Sequence, residues 1–343
     1  MNTVKKVLSK IKYYRVITFG IILILLIIAL ITGLMLRKGR NSLADQNYFK
    51  RWDKDGYFAQ ISFFIKENYY YNDERIAEFE YNLTEGLKDK GVTPEDENDK
   101  LFIDCYSGKS SVTISNDVKT QTVNCIVAGG DFFGFHPLQL VSGSYFYEDD
   151  LMKDGLIIDE ETAWQMFGSS DVAGKELYIG DRAVYVKGVY HRDQSDLHVH
   201  AHGTDPEIII SYELMHEVAE EAVPPITVLE ALIVNPVENF ASSAATDAFK
   251  ADDSFCEMVV NSERYSVSSL WKVAKERKYR AMQNGDILLP YWERIARYEE
   301  EVLAPKAVIM SVCLIAAGVI AISLIVYELT ILTRFNIKEN DPD

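Results

Sequence analysis

The sequence predicts an α+β extracytoplasmic domain on a two-helix stalk between two transmembrane helices. Three observations predict it. Val16–Leu36 and Ala307–Tyr327 are uncharged apolar runs, each about the 20 residues that a bilayer crossing requires. The stretch between them, Asn41–Ala304, holds 24 Lys+Arg against 48 Asp+Glu. Within it, segments of strand character are interleaved with segments of helical spacing, the pattern of a mixed rather than an all-β domain.

The charge distribution orients the chain. Lys5, Lys6, Lys10, Lys12 and Arg15 precede the first run, and Arg334 and Lys338 follow the second. Positive residues stay on the cytoplasmic side, so both termini are expected there and the acidic middle outside. Arg37, Lys38 and Arg40 pull the other way at the first run. That run is too long for a signal-peptide core and no small-residue cleavage site follows it, so it reads as an uncleaved anchor. A middle this acidic excludes nucleic acid as a partner, because phosphate contacts need Lys and Arg.

The elements follow in order. Residues 1–15 place Val4, Val7, Leu8 and Ile11 opposite lysines, predicting an amphipathic helix at the cytoplasmic interface. Residues 16–36 are the first span and 37–56 a polar stalk. The core domain covers 57–265. It opens with a strand at Tyr57–Ile65, rich in aromatic and β-branched residues. Asp73–Lys90 has Ile76, Phe79, Leu83 and Leu87 at helical spacing, with Gly91 as the stop. Leu101–Tyr106, Ser111–Ser115 and Gln121–Val127 read as three short strands, parted at Ser107-Gly108-Lys109 and at Asn116-Asp117. Leu156–Asp159 is a strand and Glu160–Phe167 a helix. Glu176–Ile179 and Ala183–Val189 flank Gly180-Asp181, a strong hairpin signal. Asp193–Asp205 reads as a polar loop, Glu207–Ser211 as a strand and Tyr212–Ala222 as a helix. Leu229–Val234 is a strand, and Asn235-Pro236 opens a helix through Phe249 with proline at its first position. Residues 266–305 form a helical stalk. Its first helix, Ser266–Met282, carries the basic patch Lys272, Lys275, Arg277, Lys278 and Arg280; Pro290 starts the second. Tyr291, Trp292 and Tyr298 suit a water–lipid boundary. The second span is 306–329, with Glu328 at its cytoplasmic end near Arg334, and 330–343 is a cytoplasmic tail.

Few residues offer chemistry. His198, His200 and His202, with His191, Asp193 and Asp196 nearby, are the sharpest cluster. In an extended strand the three imidazoles would share a face and could hold zinc or copper. As a surface loop, they would simply be solvated. No glutamate base for hydrolysis accompanies them, and His198, His200 and His202 stand as candidates with no metal assigned. Ser107-Gly108-Lys109-Ser110 resembles the end of a phosphate loop, but Ile103 stands where its first glycine belongs. Asp149-Asp150, Asp73-Glu74, Glu95–Asp99 and Glu299–Glu301 lack the spacing of a calcium loop. No G-x-S-x-G elbow occurs. The sequence predicts no enzyme and no cofactor. Cys105, Cys125 and Cys256 are odd in number outside the spans, and Cys105 and Cys125 sit on neighbouring expected strands. They are either a bridge or two buried free thiols.

One stretch carries a resemblance. Gly129–Arg192 contains, in order, Phe132-Phe133, Leu140-x-x-Gly143, Ala163-x-x-x-Phe167-Gly168, Ala173-Gly174-Lys175, the small hairpin, and Lys187-Gly188-Val189. It resembles the extracytoplasmic core domain of MacB-type ABC transporter permeases, of the wider FtsX superfamily. The resemblance implies a split α+β subdomain, Tyr57–Val127 with Leu229–Val260, carrying an inserted second one. It also implies a transport or mechanotransmission complex in the cell membrane, driven by a separate ABC ATPase. Such permeases carry four spans and this sequence shows two. The expectation is therefore a two-span subunit in an oligomeric complex with a partner permease. The competing class is a membrane-anchored sensor or scaffold on the same fold. A membrane-anchored metallohydrolase would rest on the histidines alone.

Overall fold

The structure, a computed structural model, describes residues 2–53, 56–94, 96, 99–219, 222–250, 254–276 and 287–339, without the side chains of 2–12, 332 and 334–339. It divides into two compact units: Met1–Ser42, Tyr265–Arg280 and Glu299–Asp343; and Leu43–Arg264 with Ala281–Tyr298. In chain order, α1 (Asn2–Ser42) belongs to the first. The second unit holds α2 (Tyr48–Trp52), β1 (Phe58–Ile65), α3 (Asp73–Asp89), β2 (Phe102–Ser115) and β3 (Thr120–Gly130). It continues with α4 (Phe132–Phe135), β4 (Gln139–Gly143), β5 (Gly155–Asp159), α5 (Glu160–Phe167), β6 (Glu176–Ile179) and β7 (Arg182–His191). Then come α6 (Asp196–His202), β8 (Glu207–Ser211), α7 (Tyr212–Val218), β9 (Val228–Val234), α8 (Phe240–Phe249) and β10 (Cys256–Val260). The chain returns to the first unit in α9 (Val267–Glu276), and α10 (Tyr291–Glu339) begins in the second and ends in the first.

In the larger unit all ten strands join one mixed sheet, ordered β10-β1-β9-β2-β3-β8-β5-β7-β4, with β6 bridging β2 and β7. The strands from β10 to β3 come from the two ends of the domain and those from β8 to β4 from its middle, as a split subdomain with an insertion requires. The halves meet where β3 pairs in parallel with β8, Val127 beside Ile210. Both sheet faces are covered, which explains the continuous apolar runs of β1, β8 and β9. On one face Ile61, Phe63, Leu229 and Ala231 pack with Phe79 and Leu83 of α3 and Ala245 of α8. On the other Phe64, Cys105, Leu232 and Ile157 pack with Tyr48, Phe132, Phe135 and Trp292.

Several expectations are corrected. Ser107-Gly108-Lys109 does not break the strand: β2 runs unbroken from Phe102 to Ser115 against β3. Gly108 serves close approach there, since a Cβ would lie 2.6 Å from the Pro225 carbonyl oxygen. Pro236 lies outside the helix, which starts at Phe240 after an Asn239 in the left-handed region. Strands β4 and β10 add to the reading. The Ser266–Met282 helix is described as far as Glu276, and Arg277, Lys278 and Arg280 lie outside the described residues. Tyr291 and Trp292 are not boundary residues, for Trp292 is buried in the second core. The stalk after the first span ends its helix at Ser42 and resumes as α2. Cys105 and Cys125 are free thiols on opposite faces of the sheet, Cys105 opposite Gly130 and Cys125 opposite Ser110.

Tyr13–Ser42, in the smaller unit, and Tyr291–Ile331, which belongs to it from Glu299 on, mark helices long and apolar enough to cross a membrane. Three contacts set α1 and α10 antiparallel: Arg15 pairs with Glu328, Gly33 faces Met310, and Gly39 faces Glu299 and Leu303. Glu328 thus has its partner on α1; the side chain of Arg334 lies outside the described residues. The expected hydrophobic face Val4, Val7, Leu8 and Ile11 likewise lies on undescribed side chains.

Candidate functional site

The register of three strands builds a polar row inside the second core. Ser62 on β1 and Cys105 on β2 both stand opposite Glu230 of β9. Glu230 is 1 % exposed, a position that a carboxylate holds only when paired. Ser62 Oγ donates to its Oε1 at 2.6 Å, and Asn261 Nδ2 donates to Ser62 Oγ at 2.6 Å. The turn of α4 lowers His136 onto the row. Its Nε2 lies 2.5 Å from Glu230 Oε2 and its Nδ1 2.9 Å from Asp45 Oδ1. The ring rests on Trp292, centroids 4.1 Å apart, and on Phe132. Burial alone would lower the His136 pKa, but the charge of Glu230 and the hydrogen bonds to Asp45 and Glu230 raise it to about 9. The imidazolium therefore donates to both carboxylates.

Cys105, His136 and Glu230 bring one sulfur, one nitrogen and one oxygen within 4.8 Å of one another. Both ring nitrogens are committed to carboxylates, and burial pushes the Cys105 thiol well up. The group is arranged to hold a proton between two acids.

Beside it lies a second buried pair. Arg264 donates to both carboxylate oxygens of Glu293, at 2.6 and 2.7 Å, and to Gln46. Arg297 donates to Glu293 at 2.6 Å and to Glu257 of β10 at 2.6 Å. Burial would raise the Glu293 carboxyl, but the charge of Arg264 outweighs this and its pKa is lowered. The two clusters share a purpose in the chain. Asp45 and Gln46 follow α1 directly, and Trp292, Glu293 and Arg297 form the first turns of α10. Gln60 of β1 completes the joint, accepting from the Tyr48 amide and donating to the Asp45 carbonyl. The segments that leave one membrane helix and enter the other are thus fastened to the sheet.

The three predicted histidines do not share one face. Asp193–Asp205 is not an extended loop: α6 occupies Asp196–His202, so His198 and His202, four residues apart, line one cleft while His200 turns to another. His198 Nδ1 lies 2.8 Å from Ser195 Oγ and 3.3 Å from Asp193 Oδ2. His202 meets Glu207 Oε1 at 2.8 Å and stacks on Tyr291, centroids 3.8 Å apart. His200 lines a separate cleft with Leu289 and Arg294. His191 pairs with Glu160, and Asp73 with His216. Ser144 is a turn residue, its amide donating to the Lys187 carbonyl at 2.9 Å.

The profile of the family described as the MacB-like periplasmic core domain matches residues 16–251. The chain belongs to this family. It carries the MacB-like domain of an ABC-type transporter component, and the family is one of transporter permease components. The α+β MacB-like fold is flanked by two candidate membrane helices. Two solved structures are similar. The periplasmic region of MacB from Actinobacillus actinomycetemcomitans is 16 % identical, covering 65 % of this chain and 93 % of that one, with a TM-score of 0.41. The extracellular domain of the noncanonic ABC-type transporter YknZ from Gram-positive bacteria is 15 % identical, covering 55 % and 90 %, with a TM-score of 0.36. No curated protein matches the sequence. In this MacB-like chain, sequence reasoning missed His136, Glu230, Arg264 and Glu293. A charged residue inside an apolar strand, as in Val-Leu-Glu-Ala-Leu-Ile-Val, was the signal available for Glu230.

Proposed function

We propose that this chain is a membrane subunit of an ABC-type complex. It supplies the extracytoplasmic domain, a separate ATPase supplies the energy, and a partner permease shares the membrane part. Both termini lie in the cytoplasm, in keeping with the basic residues before the first span. The carrying observation is the family match across the first span and the core domain. The buried joint suggests how work would pass outward. Movement of the membrane helices would pull on Asp45 and Glu293, which Gln60 ties to β1, His136 through Glu230 to β9, Arg297 through Glu257 to β10, and Arg264 to the turn after β10. Affinity purification of the full chain from mild detergent tests the reading. Recovery of an ATPase and a second permease is expected; recovery of neither overturns it.

A further inference from the structure

We propose that α9 is an interfacial helix that lies on the bilayer surface and binds anionic phospholipid headgroups. The inference rests on α10 being a membrane span, and needs no ATPase or partner permease.

Its depth is set by one hydrogen bond. The Trp271 indole N–H donates to Ser311 Oγ at 3.0 Å. Ser311 is the fifth residue of the apolar run that begins at Ala307. Around it on α10, Ile309, Val312, Leu314 and Ile315 present exposed apolar side chains, as a helix crossing hydrocarbon does. Trp271 thus sits at the outer rim of that surface, the level that indole rings prefer.

The helix is built for that level. Val267, Leu270, Trp271, Val273 and Ala274 share one arc, while Ser268, Lys272, Lys275 and Glu276 share the other. Leu270 and Val273 are buried, yet Val267 on the same arc is 43 % exposed. Immersion of that arc in the interface covers it.

The polar arc names the partner. Asn41–Ala304 is acidic overall, so a lysine there has many carboxylates to choose from. Among the described residues neither Lys272 nor Lys275 has an acidic partner. Two ammonium groups with no carboxylate partner among the described residues, beside the rim of a span, suit phosphate headgroups, with which lysines form charge-assisted hydrogen bonds.

The test uses the full chain in nanodiscs of phosphatidylcholine with phosphatidylglycerol. The fluorescence component that Trp271→Phe removes should be quenched by phospholipid brominated high in the acyl chain and protected from aqueous acrylamide. The exposed pair Lys272→Gln and Lys275→Gln, which leaves the apolar arc intact, should lower retained phosphatidylglycerol by roughly fivefold per lysine, with phosphatidylcholine unchanged. Quenching of that component by acrylamide but not by brominated lipid would sink the proposal. So would phosphatidylglycerol retention that ignores the double substitution. Either result can arise whether or not an ATPase co-purifies, so it is separable from the purification above.

Discussion

His136 is the residue on which the buried joint turns, and its chemistry makes the protein's stability depend on pH. Its pKa is raised to about 9 in the fold, against about 6.5 for an unperturbed imidazole. The extra stability is therefore complete below about pH 6.5 and fades as pH rises through about 9. The melting temperature of the full chain in detergent should fall across that window, and His136→Gln should flatten the fall. A wild-type curve already flat there would contradict the assignment. His136→Ala leaves Asp45 and Glu230 facing one another without a cation, a loss of about 3–5 kcal/mol by chemical denaturation. A second expectation concerns the thiols. Cys105 and Cys125 face opposite sides of the sheet, so mobility on a gel should not change with reductant. Both should alkylate only after denaturation; a reductant-sensitive shift of the monomer band would refute this. The two thiols could be seen in the sequence as candidates for a bridge, but their faces could not. A one-residue difference in register decides which side of a sheet a residue occupies, and only the β2–β3 pairing fixes it. His136 was harder still. A lone histidine after an aromatic turn shows nothing of carboxylates 91 and 94 residues away.

At the scale of elements, the membrane helices pack through a small residue. A Cβ on Gly39 would lie 2.5 Å from Glu299 Oε1 and 2.8 Å from Leu303 Cδ2. Gly39→Leu should therefore push α1 and α10 apart, costing about 1–3 kcal/mol by overpacking. Disulfide trapping between cysteines placed at Gly33 and Met310 should become less efficient in that variant. Unchanged trapping would show that the helices do not meet there. The Arg264–Glu293–Arg297 cluster is the other test at this scale. Glu293→Ala strands the buried Arg264 guanidinium and should cost about 3–5 kcal/mol, whereas Glu78→Ala, exposed on α3, should cost far less. Helices and strands with strong periodicity were legible: Glu160–Phe167, Glu176–Ile179 and Glu207–Ser211 fall where their patterns put them. The histidine segment was not. Its composition is that of a loop, and a seven-residue helix gains little from propensity; α6 is held by His202 on Tyr291, a contact nearly 90 residues along the chain.

At the scale of the molecule, the resemblance in Gly129–Arg192 identified the fold, and the split subdomain followed from it. Fusion of both halves into one sheet did not, because parallel β3–β8 pairing leaves no periodic trace in either strand. That topology also dictates an order of events during synthesis. Ile61 of β1 lies between Ala231 of β9 and Val260 of β10, so an almost wholly apolar strand emerges from the ribosome long before either neighbour exists. Helix α3 can shield one of its faces, but both edges stay open until β9 is translated. A nascent chain is thus at greatest risk of sticking to its copies during this interval. Chains truncated at Ala222, before β9, should accumulate as aggregates, while chains truncated after Val260 should remain soluble once extracted. Equal solubility of the two would show that β1 finds its protection elsewhere. The insertion between β3 and β9 therefore sets how long the earliest strand must wait, and that delay, rather than final stability, is where a slow-folding variant would fail.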